Sequence, residues 1–474
     1  MRSLALPVRP EVPADRIRVG RPRPGFIGLG AAGLAAFLAV ALTRLTNEGD
    51  TPSPVPFILI LLTIGLILVR EHAVNRLSLF SPLAIVLLAF AVMLGLVPLA
   101  DLWFRNAIVY HSGWSEAAWL AWTSLLLLYA GYRVAQLASP DIRRPVRSEW
   151  LSNASTLIAL VLLAIAVGSV LVEIGSAGGL VTYFSRFARR RDFIRQPVPL
   201  LIRVSMATPA ILLVAGNWLD RPTRRQAVSL LLLWLPVVVV ASGFLGQRWR
   251  AITVLVALLA LGHLGYRRLK WPVLALVVTS LVAGFLAVNL YRNVVGTSRD
   301  VRSIAGSDFY YNYLSGHELG QFRDFVTTLE GVPGKLDFQH GRTFLSIIPG
   351  TSFPTAGYLY SSTFTPKLYA AGTSVSNSLL GELYMNFGAP GVLIGMLLFG
   401  VGMGLLESWF RRNRGRIGAL LIYSATLIPL AGILRGDFTT FAGFTALGLI
   451  ALLIGLRFAE RTVPDPAAEA RETQ

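Results

Sequence analysis

The sequence predicts an all-α polytopic membrane protein of about twelve transmembrane helices with one large outer (periplasmic or extracellular) loop. Three observations carry that reading. Apolar residues make up 54% of the 474 and charged residues only 14%, too few charges to cover a water-soluble protein of this length. The mean hydropathy is +0.61. The apolar residues also fall in blocks of roughly 17–23, long enough to cross a ~30 Å hydrocarbon core as helix. A closed β-barrel would show short alternating segments instead, and none is evident.

Taken in order, residues 1–24 form an Arg- and Pro-rich segment with no small-residue cleavage site after the span that follows. They read as a retained cytoplasmic tail, not a signal peptide. Spans are expected near 26–43, 54–69, 80–100, 116–137, 152–173, 198–218, 228–245, 250–266 and 271–291. Residues 25–291 therefore hold helices one to nine, with a basic outer loop at 174–197. Residues 292–388 form the large outer loop. Three more spans, near 389–408, 416–434 and 441–458, fill 389–458, and 459–474 is a second cytoplasmic tail.

Lys and Arg in the short loops set the orientation. With the N-terminus inside, Arg70 and Arg76, Arg143, Arg144 and Arg147, then Arg221, Arg224 and Arg225 all fall inside. Arg267, Arg268 and Lys270, then Arg411, Arg412, Arg414 and Arg416 follow the same rule. Twelve spans and both termini cytoplasmic satisfy it together. The formal charge of +18 is thus a topology signal. No basic region forms a separate folded domain, so nucleic acid is not an expected partner.

Two outer segments stand apart. The loop at 174–197 carries Arg186, Arg189, Arg190, Arg191 and Arg195 against Asp192, an outward basic patch suited to an anionic ligand at the membrane surface. In the large loop, residues 307–330 read as an amphipathic helix with Phe309, Tyr313, Leu319, Phe322, Phe325, Val326 and Leu329 near one face. Turns at Pro333-Gly334, Pro349-Gly350 and Pro354 come after it. Short helices lying on the bundle are expected there.

Arginines on the outer side are the first candidates for chemistry. Arg248 and Arg250 fall in a tight outer turn, Arg292 follows the ninth span, Arg342 lies in the large loop and Arg435 ends the eleventh span. The guanidinium is a planar fork of donors that suits phosphate oxygens and stays charged. His340 and His317 lie in the large loop, and a neutral His there can accept a hydroxyl proton. Cysteine is absent, which excludes disulfides and thiolate chemistry. No His/Asp cluster has metal-ligand spacing, and no phosphate-binding Gly-rich loop or Gly-X-Ser-X-Gly elbow occurs. No metal or cofactor is expected.

The most distinctive stretch runs from Ser376 to Gly391, with Gly395, Gly400, Gly402 and Gly404 beyond it. Glycines spaced along a span permit close helix contact. Glu382, Tyr384 and Asn386 are expected just outside the tenth span. They would serve there either as polar anchors of the helix entry or as hydrogen-bonding groups for sugar hydroxyls.

The segment Gly381-Glu-Leu-Tyr-Met-Asn-Phe-Gly388, with Gly391 and Gly395-Met396, resembles the Wzy-type polymerases of O-antigen and related oligosaccharide repeat units. Gly341-Arg-Thr-Phe-Leu345 leading to Ile348-Pro349 is similar to the family's loop pattern. So are Gly178-Gly179 with Tyr183, Gly246-Gln-Arg248, and Arg435-Gly-Asp437. The likeness spans residues 170–440. It departs after Pro349, where relatives carry a basic residue and this chain has Gly350.

The resemblance implies a GT-C-like glycosyltransferase of the bacterial inner membrane. It would transfer a growing glycan from undecaprenyl pyrophosphate to the terminal sugar of another lipid-linked repeat. The implied partners are the lipid-linked oligosaccharide, membrane lipid and a chain-length regulator. On this reading Arg248, Arg342 and Arg435 grip the pyrophosphate and His340 is the base. Arg189, Arg190 and Arg191 guide the carrier, with Arg250, Arg292, Glu382, Tyr384 and Asn386 binding substrate. Tyr310, Tyr311, Tyr358, Tyr360 and Tyr369 are candidates for stacking on sugar rings. An O-antigen ligase, which shares the donor, and a flippase or transporter of lipid-linked saccharide are the alternatives. Charges cluster at span ends, which disfavours transport.

Overall fold

The computed structural model describes residues 53–73, 80–105, 113–139, 149–151, 154–176, 197–219, 248–266, 320–348, 351–370 and 377–462, with a few isolated positions between them. The expected spans at 26–43, 228–245 and 271–291 lie wholly or largely outside these residues.

The described chain is helical. Helix α1 spans Val55–Ala73. Helix α2 begins as Pro82–Phe90, passes through a π-helical turn at Ala91–Leu96 and continues as Val97–Arg105. Its start is set by Ser81, whose hydroxyl accepts the Ala84 N–H at 3.1 Å, and by Pro82 in the first turn. Helices α3 (Trp114–Leu137), α4 (Ala154–Ser176) and α5 (Pro197–Leu219) follow. Helix α6 (Arg248–Leu261) ends in a π-helical turn, Gly262–Tyr266.

The expected loop region contributes α7 (Gln321–Gly331), a single turn α8 (Arg342–Leu345), α9 (Ala356–Phe364) and α10 (Pro366–Ala370). Three long helices close the chain: α11 (Leu379–Arg412), α12 (Ile417–Arg435) and α13 (Phe438–Ala459). The departure from helix is one antiparallel pairing of three residues each, β1 (Glu149–Leu151) against β2 (Glu460–Thr462).

Among the described residues, six helices are long and apolar enough to cross a membrane: Val55–Ala73, Pro82–Leu102, Ala154–Ser176, Leu379–Arg412, Ile417–Arg435 and Phe441–Phe458. Ser205–Leu219 and Val254–Gly265 are shorter apolar helices. The protein is therefore a polytopic helical membrane protein. Its helices pack around two main cores. One gathers α1, α2, α3, α7, α11 as far as Met403 and the end of α12, and the other gathers α4, α5, α6, the end of α11, α12 and α13.

Close backbone approach holds α11 against α3. A Cβ on Gly400 would strike the Leu128 carbonyl oxygen, one on Gly404 the Tyr132 carbonyl oxygen, and one on Gly131 the Leu397 carbonyl oxygen. Small residues let membrane helices meet at this range, where dispersion and helix contact replace the missing hydrophobic drive. Gly402 faces open space and takes no part.

Helix α7 docks across one end of the bundle. Its Phe322 ring meets Phe57 at 5.0 Å and Trp114 at 4.9 Å, both edge-on. Arg323 pairs with Asp101 at 3.5 Å, and Glu330 accepts the Gly113 N–H at 2.9 Å. The starts of α1 and α3 and the end of α2 therefore share this end. The β1–β2 pairing lies at the opposite end, after α3 and α13 have run down the bundle.

Of the amphipathic helix expected at 307–330, α7 describes the part from Gln321; 307–319 lie outside the described residues. Its Phe322, Phe325, Val326 and Leu329 are buried together, as the periodicity requires. The span expected from 389 matches the second part of α11, which a kink at Gly388 joins to a first helical stretch from Leu379. Arg248 opens helix α6, so Arg248 and Arg250 stand in a helical first turn instead of a loop.

Candidate functional site

The site is built where α11 begins. Ser378 caps that helix by accepting the Gly381 N–H at 3.2 Å. Two turns later the helix is interrupted. Gly388 takes φ 67° and ψ −159°, and Pro390 follows. In an unbroken helix the Asn386 carbonyl would accept from the N–H of residue 390, and proline has none. The irregular backbone at Gly388 likewise takes the next amide away from the Met385 carbonyl.

Both stranded carbonyls are satisfied from outside the helix. Gln339 N–H donates to Met385 O at 3.0 Å, and His340 N–H donates to Asn386 O at 3.1 Å. The kink thus creates two acceptors, and the segment 339–340 docks on them as an added edge. His340 (φ 48°) and Gly341 (φ 85°) turn the chain sharply, and α8 starts at Arg342.

Side chains then lock this turn in place. Asn386 Oδ1 accepts the Gly341 N–H at 2.8 Å, and Asn386 Nδ2 donates to Thr343 Oγ1 at 2.7 Å. Thr343 Oγ1 donates in turn to Glu382 Oε1 at 2.9 Å. The other oxygen, Glu382 Oε2, accepts the Phe438 N–H at the start of α13. A carboxylate from α11 therefore caps α13, where the exposed amides of a helix N-terminus favour negative charge. Thr343, Glu382 and Asn386 are fully buried, so the bonds from Thr343 to Glu382 and from Asn386 to Thr343 are shielded from water.

The result joins two arginine-bearing turns. Arg342 belongs to the turn that holds Thr343, and Arg435 ends α12 three residues before Phe438. Phe344 reinforces the junction, with its ring 5.8 Å from Phe438 and 6.3 Å from Phe387. Arg342 and His340 are exposed, while Arg435 is half-buried and engaged with the protein. Asp437 lies near enough to Glu382 to act on it electrostatically.

Tyr384 plays a packing part. It is half-buried, with its ring 6.3 Å from Phe325 and 6.4 Å from Phe338, and Phe338 lies 6.4 Å from His340. Of the tyrosines considered for sugar stacking, Tyr360 is buried and donates to Asp324 Oδ1 at 2.9 Å, which removes it from any ligand surface. Tyr358 is exposed beside Tyr369, with ring centroids 5.6 Å apart. Burial pushes the Asp324 carboxyl up to about 7 and raises the Tyr360 phenol well above its ordinary value.

The structure brings His340, Arg342, Arg435, Glu382, Tyr384 and Asn386 to one end of the bundle. Arg189, Arg190, Arg191 and Arg292 lie outside the described residues, as do the side chains of Arg248 and Arg250. Among the described residues no group of three or more His, Asp or Glu could hold a metal ion. Thr343 is the residue that sequence reasoning missed. It links Asn386 to Glu382, and only its place beside Arg342 in the Gly341-Arg-Thr run pointed to it.

Neither a comparison with curated proteins nor one with solved structures gives a match. A family model does match, described as O-antigen polysaccharide polymerase Wzy, and it covers residues 34–459. That range contains the α11 entry, the docked turn and both arginine-bearing segments. The chain belongs to the O-antigen polysaccharide polymerase Wzy family, membrane polymerases that act on lipid-linked oligosaccharide repeat units.

Proposed function

We propose that the chain polymerises repeat units on the outer face of the membrane, moving glycan from an undecaprenyl-pyrophosphate donor to the terminal sugar of another lipid-linked repeat. The acceptor hydroxyl attacks the anomeric carbon, the bond from that carbon to the pyrophosphate oxygen breaks, and undecaprenyl pyrophosphate leaves. The observation that supports this reading is the exposed Arg342 guanidinium held on a turn locked from beneath by Thr343, Glu382 and Asn386.

Charge develops on the leaving pyrophosphate, so a fixed arginine stabilises the transition state without first reorganising. Removing one such donor costs about 10²–10³ in rate. His340, two residues before Arg342 and exposed, is the candidate for accepting the hydroxyl proton, a role worth about 10²–10⁴. Glu382 and Asn386 act in this reading as positioning residues beneath the turn, and Tyr384 packs the turn's flank. Arg189, Arg190, Arg191, Arg248, Arg250 and Arg292 enter on their sequence positions alone, as guides for the anionic carrier. A chain-length regulator is an additional partner expected from the family.

The test is the purified chain in nanodiscs with a lipid-linked repeat unit as sole substrate. Release of undecaprenyl pyrophosphate together with lipid-linked glycans longer by whole repeats supports the proposal. Transfer only to a different class of acceptor would make the chain a ligase. Translocation of the repeat without release of carrier would make it a transporter.

A further inference from the structure

The segment that follows Arg342 carries an apolar surface that the polymerisation chemistry does not use. Leu345, Ile347, Ile348 (50% exposed) and Phe353 (39% exposed) all turn large side chains outward. No charged residue lies between Arg342 and Lys367. A water-facing segment of that length would ordinarily carry charge, and contiguous exposed apolar side chains mark an interaction surface.

The position of this surface identifies what covers it. Below the Gly388 break, Ile394 (59% exposed), Leu398 (62% exposed) and Leu405 recur at helical spacing along one face of α11. In a membrane-spanning helix this stripe faces lipid. Phe387, also exposed, stands at its head, and the Phe344 ring stacks on Phe387 at 6.3 Å. The apolar segment is therefore continuous with the lipid-facing side of the span. Arg342 and Lys367 flank it, and Tyr358 with Tyr369 adds the amphipathic rings that favour a membrane–water boundary.

We propose that residues 344–348 and 351–353 lie in the headgroup–acyl boundary of the bilayer, with Leu345, Ile347, Ile348 and Phe353 among the acyl chains and Arg342 at the level of the lipid phosphates. The occupant of the surface is bilayer lipid. Cationic side chains at the edge of an apolar insert reach the phosphate layer in this way. The inference does not require Arg342 to act in glycan transfer.

The chain has no native cysteine, which makes the test direct. Ile348→Cys and Phe353→Cys in the full chain are labelled with an NBD fluorophore and reconstituted in nanodiscs of phosphatidylethanolamine and phosphatidylglycerol. Lys335→Cys, on an exposed turn after α7, is the reference. The expected result is blue-shifted emission at both sites, several-fold stronger quenching by a nitroxide on the upper acyl chain, and weaker quenching by aqueous iodide than at the reference. Iodide quenching equal to the reference would overturn the proposal by placing the segment in water. Shielding from both quenchers would overturn it by showing a protein cover, such as a second copy of the chain.

Discussion

The His340 amide donates to the Asn386 carbonyl at 3.1 Å, in the place that the missing N–H of Pro390 leaves open. One proline in a span thus determines where a distant segment docks, and that segment carries the exposed Arg342. The helix break is stabilised by the contact it creates, because a buried carbonyl without a partner is costly.

Thr343 is both donor and acceptor between Glu382 and Asn386, and its hydroxyl is the group that matters. Thr343→Val keeps the shape and takes the hydroxyl donor from the buried Glu382 Oε1, at about 1–3 kcal/mol, while Asn386 Nδ2 keeps its bond to the Glu382 carbonyl. Polymer formation should fall steeply with Thr343→Val and recover with Thr343→Ser. A gel profile of surface glycans at matched protein level checks this, and equal ladders in the two variants would contradict it.

Gly388 tests the kink itself. Space for a methyl group exists, with the nearest heavy atom 3.5 Å away. The obstacle is the backbone, since φ 67° with ψ −159° is open almost only to glycine. Gly388→Ala should cost about 1–3 kcal/mol and undock the 339–343 turn. Protease cleavage near residue 340 should then rise relative to the parent protein; an unchanged digestion pattern would argue against it.

The α3–α11 contact makes a contrast within three residues. Gly400→Ala drives a methyl group into the Leu128 carbonyl and should destabilise the fold by about 1–3 kcal/mol, as an overpacked core does, lowering the thermal midpoint in detergent. Gly402→Ala meets nothing within 4 Å and should be neutral. Thermal unfolding of the two variants side by side decides the matter.

Asp324 predicts a pH dependence. Its carboxyl is pushed up to about 7 by burial, from an ordinary 3.8. Between those values the unfolded chain is ionised at this position and the folded chain is not, so folding takes up a proton. The contribution to stability is fully present below about pH 4 and is lost as pH rises to 7. Asp324→Asn keeps an acceptor for Tyr360 and should flatten this part of the profile. Identical midpoint-versus-pH curves for the parent and Asp324→Asn would rule the effect out.

Much of this architecture was legible in the sequence, because apolar length and loop charge are local signals. The spans near 54–69, 80–100, 116–137, 152–173, 198–218, 416–434 and 441–458 all correspond to described helices, some longer by a few residues. Gly388-Ala-Pro390 reads as a helix boundary and is the kink where two helical stretches of α11 meet; what was not legible is that the carbonyls freed there bind another segment. The roles of Glu382 and Asn386 were hidden for a related reason. Their partners lie 39 and 56 residues away for Glu382, and 43 and 45 for Asn386, and no spacing rule connects such positions. Sequence alone left those residues open between anchoring and sugar binding; the geometry gives their oxygens to the protein.

The most direct test of the account is the surface-glycan ladder of cells carrying Arg342→Ala in place of the native gene, with membrane protein level measured alongside. The expected result is normal protein level and a ladder reduced to a single repeat unit, because export and attachment continue while polymerisation stops. A full-length ladder from Arg342→Ala at normal level would contradict it and remove the docked turn from the chemistry.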